Sequence, residues 1–133
     1  MLSVHAMHVL FFLASALAAA IHMYIFVLES VLWGTPRANK VFGLTTEHAE
    51  TLRGFAFNQG FYNLFLAFGA GAGGVLLALD HEGAGVGVAL LSLGSMLGAA
   101  LVLVASQRRL WRAALIQGGA PLTALLALAS TLG

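Results

Sequence analysis

Four apolar runs, each about as long as a bilayer is thick, leave this chain little choice of fold. A helix crossing the hydrocarbon core needs about 20 mostly apolar residues. Stretches at about 9–33, 54–79, 84–106 and 113–132 meet that need and use most of the 133 residues, so no separate soluble domain fits. Charged residues are 8% of the chain, against about 25% in a soluble domain, and so few cannot cover a surface against water. A membrane β-barrel would show alternating segments of about ten residues, and none is visible. The expected fold is all-α: one domain, 1–133, forming a four-transmembrane-helix bundle.

The basic residues set its orientation. All six lie in two loops: Arg37, Lys40 and Arg53 in 34–53, and Arg108, Arg109 and Arg112 in or beside 107–112. The second loop carries Asp80, His81 and Glu82 instead. Basic loops stay in the cytoplasm, so both termini are expected outside (N-out/C-out). The setting expected is the bacterial inner (cytoplasmic) membrane, crossed several times. The start of the chain lacks the basic flank of a cleavable signal peptide. A net charge of +1 gives no reason to expect nucleic acid, and the lack of cysteine excludes disulfides and thiolate chemistry.

Local signals refine the layout. Thr35-Pro36 reads as a cap and first turn, opening a short interfacial helix over 36–44 with Val41, Phe42 and Leu44 toward acyl chains. Thr45 or Thr46 can cap the next helix, which can run unbroken into the second span. Gly69, Gly71, Gly73 and Gly74, and Gly94-x-x-x-Gly98, let backbones approach closely in lipid. Pro121 leaves the Gln117 carbonyl without its usual partner.

Polar residues inside the spans are the candidate site. His8, Ser15, His22 and Glu29 recur every seven residues, near one face of the first helix. Asn58, Gln59, Tyr62 and Asn63 form a polar set on the second by the four-residue repeat, and Gln117 stands on the fourth. Counting inward from each basic loop puts Glu29, Asn58 and Gln117 at one depth, about 7 Å below the surface at 1.5 Å per residue. Antiparallel neighbours are then expected to place Glu29 beside Asn58, Gln59 and Gln117, and His22 beside Tyr62 and Asn63. An ionisable residue in a span costs about 2.5–3.5 kcal/mol on insertion scales and marks a functional path by default. The expected site is a polar pocket open to the cytoplasm, binding a ligand or a proton. No metal is expected, since His22 and Glu29 lie two turns, about 10 Å, apart, and no cofactor is implied. A Ser-His-Asp site has no support, because no Asp lies in a span.

The blocks His22-Met23-Tyr24-Ile25-Phe26-Val27-Leu28-Glu29, Leu32-Trp33, Thr35-Pro36-Arg37, Lys40-Val41-Phe42-Gly43 and Asn58-Gln59-Gly60-Phe61-Tyr62-Asn63 resemble a bacterial membrane family catalogued as domain of unknown function 1304. The resemblance covers nearly the whole chain and implies a small four-helix membrane protein without an assigned reaction. Three functions follow as expectations. The first is proton-linked transport or passage of a small molecule; the layout is similar to that of small multidrug resistance transporters, with one glutamate in helix one. The second is a membrane-embedded enzyme or lipophile-binding protein, similar in layout to the eicosanoid and glutathione metabolism family, with Glu50, Arg53, Asn58 and Tyr62 loosely like its helix-two motif. The third is a non-catalytic subunit of a membrane complex. The expected partners are the lipid bilayer, a small-molecule ligand and further copies of the chain, as a homo-oligomer (dimer or trimer).

Overall fold

A computed structural model describes residues 3–132. Helix α1 (Val4–Phe26) passes into a single π-helical turn, Val27–Val31. Then come α2 (Pro36–Phe42), α3 (Thr46–Ala78), α4 (Glu82–Ser106), a 3₁₀ turn at Arg108–Leu110 and α5 (Trp111–Leu132). No strand occurs among the described residues. Four of the helical segments are long and apolar enough to cross a membrane: Val4–Val31, Thr46–Ala78, Glu82–Ser106 and Arg108–Leu132.

The turns follow from the local sequence. Thr35 caps α2, its hydroxyl accepting from the Ala38 N–H at 3.3 Å, with Pro36 in the first turn where a missing N–H costs nothing. Gly43, at φ 66°, ends α2 in the left-handed conformation that glycine adopts freely. Thr45 caps α3 by accepting from His48 N–H at 3.2 Å. The helix then runs unbroken for 33 residues, so it begins well before the apolar run that identified it.

The four long helices form an up-and-down square in which α1 packs on α3 and α5, and α4 on α3 and α5. One end gathers all the Arg and Lys residues, the other Asp80, His81 and Glu82. Phe11, Leu93, Met96 and Leu128 fill the middle together with Ala14, Ala18, Ala70, Ala89, Ala120, Ala124 and Ala127. Small residues set the spacing: a Cβ on Gly73 would lie 2.8 Å from the Ala89 nitrogen, and one on Gly118 2.7 Å from the Ala100 Cβ. Lipid gives helices no hydrophobic reason to associate, so such close approach supplies the attraction. Hydroxyls on the outer surface return to their own helix: Ser95 donates to Leu91 O (2.6 Å), Ser106 to Val102 O (2.8 Å), Thr123 to Gly119 O (2.9 Å) and Ser130 to Leu126 O (2.8 Å). This leaves no unpaired hydroxyl among them for lipid to solvate.

Candidate functional site

The π turn shapes the seam between α1 and α3. The Leu32 N–H donates to Val27 O at 2.8 Å, five residues back. Three consecutive side chains thereby address protein: Leu28 is buried in the bundle, while Glu29 and Ser30 face α3. Ser30 Oγ donates to the Phe57 carbonyl at 2.8 Å. Asn63 Nδ2 donates to Glu29 Oε2 at 2.9 Å and to its own helix at Gln59 O, 3.2 Å. Gly60 makes this approach possible, since a Cβ there would collide with Ser30 Oγ and lie 3.1 Å from the Glu29 Cβ.

Toward the basic end the seam opens into a groove of about 320 Å³, lined by Glu29, Ser30, Val31, Trp33, Arg53, Gly54 and Phe57. Arg53 lies across its mouth. Its Nε and Nη2 donate to Glu50 Oε2 at 3.0 and 2.7 Å, and its Nη1 reaches the Trp33 carbonyl at 3.4 Å. The indole N–H of Trp33 donates to Ala49 O at 2.6 Å, which ties the loop after α1 onto α3. Gly34 is required here twice over: its φ is 82°, and a Cβ would lie 2.9 Å from Arg53 Nη2.

His22 sits deeper and apart. It is fully buried, and its Nδ1 donates to the Ala18 carbonyl at 2.9 Å, since a carbonyl can only accept. Its Nε2 has no partner among the described residues. No hydrogen bond joins it to Glu29, Tyr62 or Asn63 among the described residues.

The family model described as Protein of unknown function (DUF1304) matches residues 16–129. The chain belongs to this family. No curated protein and no solved structure matches it. The DUF1304 match takes in α1 from its middle, the groove and nearly all of α5, so every residue of the seam and groove lies within it.

Of the polar residues singled out in this DUF1304 chain, Glu29 and Asn63 come together, with Gln59 supplying a backbone carbonyl. Gln117 is half-buried on α5 and bonds to none of them among the described residues. Asn58 and Tyr62 turn to the outside of the bundle, Tyr62 at 56% exposure. The expected neighbours of Glu29 therefore differ by one turn, for a geometric reason. Side chains on a helix lean toward its N-terminus. In antiparallel helices Glu29 leans away from the basic end and Asn63 leans toward it, so they meet although their backbones lie a turn apart. The buried side of α3 is the stripe Ala49, Ala56, Gly60, Ala67 and Ala70. Asn58 and Tyr62 are each two residues, about 200°, from a member of that stripe. Sequence reasoning does not reach Ser30, Trp33, Arg53, Gly54 and Phe57 as lining residues. The small-residue stripe could have found Arg53, which falls four residues after Ala49 and three before Ala56 on the face of α3 that meets Glu29.

The donor set around the groove is poor in metal ligands. Among the described residues, no three His, Asp or Glu side chains converge closely enough to hold a metal ion.

Proposed function

We propose that the protein passes a small molecule across the membrane in a proton-linked manner, with Glu29 as the carboxyl that binds proton and solute in turn. The observation that carries this reading is the placement of Glu29 in a π turn of an apolar span, at the wall of a groove. A carboxyl in a span is costly, and a neutral side chain would hold Asn63 as well. The π turn ends the first span and turns Glu29 toward α3, where it meets Asn63.

In this reading the basic end, with Arg37, Lys40, Arg53, Arg108, Arg109 and Arg112, faces the cytoplasm of a bacterium, and both termini lie outside. Aromatic and aliphatic side chains fill the bundle axis, so a path runs along the outside of α1 and α3, completed by another copy. The outward polar residues Asn58 and Tyr62 support such a homo-oligomer, since an amide at a lipid-facing position gains by bonding across helices.

Purified protein in liposomes containing a pH-sensitive dye tests the function. A panel of amines, carboxylates and neutral solutes is added outside. At least one class should drive proton movement in the wild type and none in Glu29→Gln. Proton movement equal in both, or absent for every solute, overturns the reading. Native mass spectrometry tests the assembly: a dimer or trimer is expected for the wild type and a monomer for Asn58→Ala/Tyr62→Ala.

A further inference from the structure

The groove between α1 and α3 has an uneven supply of hydrogen-bonding groups, which bears on what it can hold. Its donors are largely taken. Ser30 donates to Phe57 O, the Trp33 indole donates to Ala49 O, and Arg53 is paired with Glu50 and reaches the Trp33 carbonyl. Its acceptor is not. Asn63 occupies Oε2 of Glu29, and Oε1 has no hydrogen-bond partner among the described residues. Arg53 is paired with Glu50 at 2.7 Å, and Glu29 is the one acidic side chain in the lining. The remaining walls are apolar or aromatic, with Trp33 from the loop after α1, Phe57 from α3, and Gly54 leaving open space where a side chain would stand.

A carboxylate with a free oxygen beside two aromatic rings suits a positive group on an apolar body. The carboxylate supplies the counter-charge, and the rings attract a cation through their negative faces. An anion would meet Glu29 directly and find Arg53 already engaged. A volume of about 320 Å³ holds a small organic molecule, at the lower end of ligand pockets. We infer that the α1–α3 groove binds an organic cation, an ammonium carried on an aromatic or aliphatic body, with Glu29 as its counter-ion and Trp33 and Phe57 as its walls. This names the solute class for the transport reading above and rests on Glu29 being that site.

The probe is benzyltrimethylammonium, with benzenesulfonate as an anion of similar size. The chain has two tryptophans, so Trp111→Phe leaves Trp33 as the sole reporter in the groove. Titration should give a saturable change in Trp33 fluorescence with the cation, at least tenfold tighter than with the anion. Glu29→Gln should abolish it, and Glu29→Asp, which keeps the charge, should retain a weakened response. Equal responses to cation and anion, or an unchanged response in Glu29→Gln, overturn the inference. If Glu29→Gln does not fold, as judged by gel filtration, the cation–anion comparison and Glu29→Asp decide. Cation binding without proton-linked flux refutes transport and leaves the site standing. Proton-linked flux of another solute, with no cation bound, refutes the site alone.

Discussion

At the basic end of the bundle α3 meets α1 through side chains: Ser30 to the Phe57 carbonyl, and Asn63 to Glu29. At the other end α3 meets α4 almost backbone to backbone, where a Cβ on Gly85 would lie 2.8 Å from the Leu77 nitrogen and one on Gly73 2.9 Å from the Ala89 Cα. Both seams use glycine, yet for different ends. Gly73 and Gly85 remove side chains so that two helices touch and nothing fits between them. Gly60 removes one so that Ser30 and Glu29 can reach α3, and Gly54, a turn and a half nearer the loop, leaves a groove. The dry seam brings two backbones together, and the polar seam leaves a groove beside a carboxyl. A helix of 33 residues can do both because its small residues change partner along its length.

The contrast can be broken experimentally at several levels, beginning with an all-or-none one. The chain has no cysteine, so a single cysteine can be placed at either end. Cysteine in place of His81 should react fully with a membrane-impermeant maleimide on intact cells, and cysteine in place of Arg109 should not react until the membrane is opened. The reverse pattern would put the groove on the outer side. Next comes the residue on which the proposed function rests: proton-linked flux in Glu29→Gln should fall at least tenfold, with little change in its resistance to denaturing detergent. A loss of stability as large as the loss of flux would make Glu29 a packing residue.

The dry seam should respond in the opposite sense. Gly73→Ala forces the α3 and α4 backbones apart and should cost about 1–3 kcal/mol, the usual range for overpacking, in a detergent-denaturation titration. Gly54→Ala meets nothing within 4 Å and replaces a poor helix former with the best, so it should stay neutral or gain up to about 1 kcal/mol. If the two substitutions have equal effects, the seams are not distinct. The smallest loss of stability belongs to Asn63→Ala: an interhelical hydrogen bond in a membrane averages about 0.6 kcal/mol, so stability should barely fall while flux drops.

Much of this was legible in the chain. Lipid cannot hydrogen-bond a backbone, so apolar runs of this length have to be helices, and consecutive runs that each cross the membrane are antiparallel. Thr35-Pro36 and Thr45 mark the starts of α2 and α3, because cap chemistry is local. Glu29 stood out because its cost does not depend on what surrounds it. Its partner did not stand out so clearly. Asn58 and Asn63 are both amides on one helix, and composition alone cannot rank them. Asn58 and Tyr62 looked like part of the site by their spacing, whereas Ala49, Ala56, Gly60 and Ala67 record which side of α3 is packed.

What the sequence determined by itself is therefore the class of fold, the starts of α2 and α3 to within a residue, and the presence of an ionisable group in an apolar span, since each depends on residues within a turn or two of one another or on the solvent. Tertiary structure alone decided that Glu29 bonds to Asn63, that Ser30 and Phe57 close the seam, that a π turn presents them, and that Trp33, Arg53 and Gly54 complete a groove. These depend on the rotation and axial offset of two helices, which are set by the sum of small contacts along the whole of α1 and α3 and by no single residue.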